Sequence, residues 1–248
     1  MNNKKGFFFI NSCIKFCSFE NINFIKMSIL KGVGVALVTP FNEDLSVDFD
    51  SLTKLIDYNI ENGTNYLVVL GTTAEAATLS TEEKKQVVNH IIEVNNKRVP
   101  LVLGIGGNNT MEVKKQIEET DLSAFEAVLS VSPYYNKPNQ EGLYQHYKVL
   151  ASTGKKIIIY NVPSRTGQNI EASTTLRLAK EFPNFIMIKE AAPNILQYFD
   201  IIRQKPEHFN LVSGDDEFTL PVTLAGGNGV ISVIGQGYPK EFSTMVQL

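Results

Sequence analysis

From Gly34 onward the chain alternates short apolar runs with longer stretches in which apolar side chains recur at helical spacing. The runs predict eight strands, at 35–38, 66–70, 101–105, 127–131, 156–160, 185–189, 210–213 and 230–234. Most are unbroken Val, Ile and Leu without polar alternation, as expected of parallel strands covered on both faces. The intervening stretches predict helices over 48–62, 81–95, 110–120, 140–153, 172–181, 194–203 and 217–225. Strict alternation of strand and helix argues for a parallel sheet. Eight repeats favour closure into an α/β TIM barrel, a (β/α)8 fold, while an open doubly wound sheet stays as the alternative because periodicity does not report closure.

The helix starts carry their own signals. Ser80 precedes Glu82 and Glu83, Asn109 and Thr110 precede Glu112, and Asp216 precedes Glu217, so short polar side chains and acids stand where unpaired amides need them. No linker-like composition divides the repeats, and residues 27–248 are expected to form one barrel, incomplete at its C-terminus because the chain ends a few residues into the eighth helix. Residues 1–26, rich in Asn, Phe and Lys, read as an N-terminal appendage outside the fold. Asn11 and Ser12 break its apolar run, which argues against a secretory signal.

Composition narrows the function classes. Both cysteines, Cys13 and Cys17, lie in the appendage, so the body has no disulfide framework and no thiol chemistry, and a reducing cytoplasm fits. The net charge is only −3 and the lysines are scattered among acids along helical stretches, which argues against a nucleic-acid partner. No apolar run approaches the roughly 18 residues needed to cross a bilayer.

In such a barrel functional groups belong at the C-terminal strand ends. Lys189 closes the apolar run Phe185-Ile186-Met187-Ile188, whereas Lys155 and Lys156 precede their strand and fall on the opposite face. An amine held at a buried strand end loses hydration, its pKa falls, and the free base can attack a carbonyl. The resulting iminium acidifies the neighbouring carbon and gives the enamine that an aldol addition needs. A lysine paired with Glu190 is the plainer alternative. Tyr160, Tyr135 and Thr72 could relay the protons. The three histidines, His90, His146 and His208, lie in or beside helices, which disfavours a zinc site or a Ser-His-Asp triad. Gly71-Thr72-Thr73 offers amides and hydroxyls to a carboxylate, and Arg165 could clamp a second one. Capping explains Asp215, Asp216 and Glu217 more simply than a metal, and neither metal nor cofactor is expected.

The runs Gly71-Thr72-Thr73, Ser132-Pro133-Tyr134-Tyr135-Asn136-Lys137-Pro138, Tyr160-Asn161-Val162-Pro163-Ser164-Arg165-Thr166-Gly167, Ile188-Lys189-Glu190-Ala191, Ser213-Gly214-Asp215-Asp216 and Gly229-Val230-Ile231-Ser232-Val233 together resemble the dihydrodipicolinate synthase family of class I aldolases, from about Ile29 to the end. The resemblance implies condensation of pyruvate with aspartate-4-semialdehyde, on the way to diaminopimelate and lysine, by a homo-oligomer built as a dimer of dimers. It casts Lys189 as the Schiff-base lysine and Tyr160, Thr72 and Tyr135 as a proton relay, with Tyr135 lent by a neighbouring subunit. Thr73 becomes the pyruvate-carboxylate contact, Arg165 the binder of the semialdehyde's carboxylate, and Gly214 and Ile231 pocket positions. Asn108, Glu112 and Tyr134 match a site for feedback by lysine, although Thr81 and Lys84 stand where sensitive members often carry histidines. Ala74 and Ala76 replace a glycine and a serine, and Ala192-Pro193 a Thr/Ser-Gly pair. If the glycine served a positive φ, alanine would cost about 1 kcal/mol there. A sugar-acid lyase of the N-acetylneuraminate type and an inactive barrel are the competing readings.

Overall fold

A computed structural model describes residues 30–247, and the expectations placed on residues 1–26, Cys13 and Cys17 among them, lie outside that range. The strands are β1 (Gly32–Ala36), β2 (Tyr66–Val69), β3 (Leu101–Gly104), β4 (Ala127–Val131), β5 (Ile157–Asn161), β6 (Phe185–Glu190), β7 (Asn210–Ser213) and β8 (Gly229–Ser232). They pair in parallel in chain order and close, β1 against β8, through Gly32↔Gly229 to Val35↔Ser232. The open-sheet alternative is thereby excluded. Around them run α1 (Phe49–Glu61), α2 (Thr81–Asn95), α3 (Thr110–Glu119), α4 (Gln140–Ala151), the one-turn α5 (Pro163–Thr166), α6 (Ala172–Glu181), α7 (Ile195–Gln204), α8 (Thr219–Leu224) and α9 (Pro239–Val246). No helix among the described residues is long and apolar enough to cross a membrane.

The continuous apolar strands serve two cores at once. Val68, Leu129, Ile158, Met187 and Val212 fill the barrel interior, while their neighbours Val69, Val128, Ile157, Ile188 and Leu211 pack outward on the helices. Tyr66, fully buried, spans the interior low in the barrel, and Gly34 makes room for it: a Cβ there would stand 2.2 Å from the ring. That need explains why β1 begins at Gly32, three residues before the apolar run predicts. The helices start largely as the sequence indicates. Ser80 and Glu83 form a reciprocal capping box, and the Asn109 side chain accepts from the amides of Met111 and Glu112, each such cap being worth about 1 kcal/mol.

Two expectations need correction. The stretch 217–225 is a 3-10 turn (Asp216–Phe218) followed by α8, and Asp216 caps neither of them. Its carboxylate instead accepts from the Ser232 hydroxyl at 2.5 Å and from the amides of Val233 and Ile234 at 3.1 and 2.9 Å. Those amides are thereby drawn off the ladder, so β8 stops at Ser232 although the apolar run continues. Ala74 carries no positive φ; the left-handed residue is Glu75, with φ 52°. The alanine therefore introduces no backbone strain of that kind.

Candidate active site at the C-terminal barrel mouth

Side chains alternate along a strand, so Ile158 and Tyr160 on β5 and Met187 and Lys189 on β6 all face the interior, with Tyr160 and Lys189 uppermost and paired in register. Both are nearly enclosed, at 6% and 4% exposure. The Lys189 amine lies over the face of the Tyr160 ring, 4.4 Å from its centroid. No hydrogen-bond or ion-pair partner for that amine is found among the described residues. Desolvation lowers its pKa from 10.5 to about 8; the Asp216 carboxylate opposes this and the Arg165 guanidinium reinforces it. A primary amine of that kind is partly free base near neutrality and nucleophilic toward a carbonyl. Burial raises the Tyr160 phenol, while a hydrogen bond with Thr72 and the charge of Arg165 pull it back. The phenol thus stays protonated and able to hand a proton on.

Glu190 is not the partner of Lys189. It is the next residue of the strand, faces the opposite side of the barrel wall, and is fully buried there. Its carboxylate accepts from Asn161 Nδ2 (2.7 Å), the Ala192 amide (2.9 Å) and Gln197 Nε2 (2.8 Å). Burial still dominates and pushes its pKa up to about 7. The sequence offered Glu190 as a partner for Lys189 and Asp216 as a helix cap, and gave no sign of the networks they form. Alternation along β5 and β6 was the available signal, since it places Asn161 and Glu190 directly behind the inward pair.

A cavity of about 700 Å³ opens at the mouth and runs outward between α2 and α3. Thr72, Tyr134, Tyr160 and Arg165 line it, with Lys84, Lys85 and Val88 farther out. Lys189 is not part of the lining; it sits one ring behind it, against Tyr160. Thr72 and Thr73 occupy a single 3-10 turn (Thr72–Ala74) rather than the start of α2, a turn anchored by the Thr39 hydroxyl donating to the Ala74 carbonyl at 2.7 Å. Arg165 is exposed on α5 with no carboxylate partner among the described residues. Gly214 touches the lysine itself: a Cβ there would stand 2.9 Å from Lys189 Cγ and Cε. Ile231 is fully buried in the interior layer.

Other candidates are not gathered at the amine. Tyr135 is 89% exposed and held at φ 74°, so within this chain it does not reach Lys189. Asn108 and Glu112 are exposed and outside the cavity lining, which Tyr134 joins. Asn108 accepts at its carbonyl from Asn136 Nδ2 at 3.3 Å. His90 bonds Thr53 and His146 bonds Thr110, each at 2.8 Å, as packing residues. Among the described residues no group of three or more His, Cys, Asp and Glu side chains is arranged to hold a metal.

A closed β/α barrel that buries a poorly solvated primary amine against a phenol, under a cavity rimmed by hydroxyls and an arginine, has the build of a barrel enzyme with its candidate site at the C-terminal mouth. Comparison with known proteins narrows the class. The chain belongs to the Dihydrodipicolinate synthetase family, whose model matches residues 29–248. It is 59% identical over 223 residues to the 4-hydroxy-tetrahydrodipicolinate synthase of Flavobacterium psychrophilum, covering 90% of this chain and 76% of that one. Identity to the enzyme of the same name from Parabacteroides distasonis is 56% over 220 residues, 88% of this chain and 74% of that one. Among solved structures, the chloride-inhibited dihydrodipicolinate synthase of Acinetobacter baumannii complexed with pyruvate superposes with a TM-score of 0.82 at 44% identity, covering 86% of this chain and 74% of that one.

Proposed function

We propose that this chain condenses pyruvate with aspartate-4-semialdehyde to give 4-hydroxy-tetrahydrodipicolinate. Lys189 attacks the ketone carbon of pyruvate; the carbinolamine loses water and becomes an iminium. Loss of a proton from the pyruvate methyl group gives an enamine, whose carbon adds to the aldehyde of the second substrate. The semialdehyde's own amino group then displaces the lysine, closes the ring and frees the enzyme. Water leaving and protons returning need a donor beside the nitrogen, and the Tyr160 phenol, coupled to Thr72, fills that place. Thr73 and neighbouring amides hold the pyruvate carboxylate, Gly214 shapes the lysine's channel, Ile231 floors it, and Arg165 takes the second carboxylate. No cofactor enters this scheme, because the covalent bond to Lys189 supplies the electron sink.

The observation that carries the reading is the desolvated Lys189 amine on the Tyr160 ring. Tyr135, exposed and in a left-handed conformation, is assigned to the relay of a second copy of the chain, which makes the working unit an oligomer. Biosynthetic work of this kind belongs in the cytoplasm. The test is a coupled assay offering pyruvate with aspartate-4-semialdehyde on one side, and N-acetylneuraminate or keto-deoxy sugar acids on the other. Turnover of the semialdehyde alone is expected; turnover only of the sugar acids overturns the reading in favour of the lyase.

A further inference from the structure

The ends of β5 and β6 carry two register pairs on opposite faces of one wall: Tyr160↔Lys189 inside and Asn161↔Glu190 outside. That register does not follow from where the strands begin. Ile157 pairs with Phe185, but Ile158 pairs with Met187, so Ile186 is an extra residue bulged out of β6. Without the bulge, Ile158 would meet Ile186 and Asn161 would meet Lys189. A one-residue slip turns every later side chain to the other face: Lys189 would point into the helix layer and Glu190 into the mouth. Hydrophobic packing discriminates poorly between the two, because isoleucine and methionine suit either core.

The outer polar pair does discriminate. Glu190 accepts from Asn161 on β5, from Gln197 on α7 and from the Ala192 amide beyond its own strand. Asn161 in turn accepts from the Ile170 amide (3.0 Å) and donates to Asn169 (2.8 Å), which donates to Gln197 (2.8 Å). The main chain is tied at the same point, with Gly214 N and Tyr198 Oη donating to the Glu190 carbonyl at 2.6 and 2.7 Å. A slip would carry the Glu190 carboxylate away from Asn161 and Gln197 and leave those buried donors without their acceptor, which is costly for each.

We propose that Glu190 is a positioning residue, a register lock on the outside of the barrel that holds the bulged β6 so that Lys189 meets Tyr160 in the mouth. It touches no substrate and acts through the two residues in front of it. The inference rests on the functional reading of Lys189, and the experiment separates the two. Purified parent, Glu190→Gln and the exchange variant Asn161→Asp/Glu190→Gln are incubated with pyruvate and borohydride, and the rate of adduct formation on Lys189 is measured per folded protein, with folding followed by circular dichroism. The single variant keeps one oxygen for Asn161 and the Ala192 amide but turns an amide donor on Gln197 Nε2, or on the other two if it flips, and is expected to trap at least about tenfold more slowly while remaining folded. The exchange variant restores a donor facing a carboxylate across the strands and is expected to recover most of that loss. Should Glu190→Gln not fold, Gln197→Ala carries the same test with an expected loss of several-fold. A parent that forms no adduct overturns the functional reading and this inference with it. A parent that reacts, with Glu190→Gln (or Gln197→Ala) reacting at the same rate, overturns the register lock alone, as does a slow single variant that the exchange fails to rescue.

Discussion

The two faces of the wall formed by β5 and β6 solve the same problem, a buried ionisable group, in opposite ways. On the outer face the Glu190 carboxylate is met by three donors from three segments. On the inner face the Lys189 amine, one residue earlier, has an aromatic face for company and no hydrogen-bonding partner among the described residues. A saturated polar network makes a rigid anchor, even though burial raises the carboxyl's pKa. An under-solvated amine is left with an altered protonation equilibrium, which is what a nucleophile near neutral pH requires. The barrel spends its hydrogen bonds behind the site and withholds them within it.

The comparison breaks most sharply if the inner amine is removed. Lys189→Ala is expected to abolish adduct formation and to lower condensation at least ~1000-fold, since no other strand of the described residues has a lysine at its mouth end; turnover assays and mass spectrometry of trapped protein check it. Tyr160→Phe keeps the ring beneath the amine but removes the relay hydroxyl, and should cost on the order of 100-fold in kcat. Gly214→Ala forces a methyl group onto the lysine stem and should slow adduct formation roughly tenfold while costing about 1–3 kcal/mol of stability in urea unfolding.

Titration sharpens the contrast further. The folded-state pKa of Lys189 is lowered from 10.5 to about 8, so between those values the unfolded chain binds more protons and stability should rise with pH, by about 3 kcal/mol in all. Glu190 is raised from 4.5 to about 7, so there the folded chain binds more protons and stability should fall as pH climbs through that window. Urea unfolding across pH tests both slopes, and Lys189→Met should erase only the alkaline one. The smallest effect belongs to Tyr135. Replacing it by Phe should change the melting midpoint within error, its side chain being almost wholly in solvent, while lowering turnover through the neighbouring copy's site.

The fold was legible because its signal is repeated: eight apolar runs separated by helical stretches leave few ways to bury both faces of each strand. Boundaries failed where tertiary demands override local pattern. The first apolar run starts at 35 and leaves out Gly32 and Gly34, yet both belong to β1, where the second yields space to Tyr66. Val233 and Ile234 look like strand but surrender their amides to Asp216. The mouth residues were legible because strand-end position is itself a chemical statement, and the resemblance around Lys189, Tyr160, Thr72 and Arg165 reinforced it. The supporting groups were not, because hydrogen bonds such as Asn161 to Glu190, 29 positions apart, exist only once the register is set. Strand-end position alone put Tyr135 among the hydroxyls near Lys189, but its side chain stands out in solvent; only the resemblance, which has it lent by a neighbouring subunit, allowed for that.

The most direct measurement is the pH dependence of the site of pyruvate attachment: borohydride trapping of the parent chain, digestion, and mass spectrometry of the modified peptide across the neutral and alkaline range. A single adduct on Lys189 is expected, its rate of formation rising with a midpoint near 8. An adduct on any other lysine, or a rate that climbs only near the ordinary lysine value of 10.5, would contradict it.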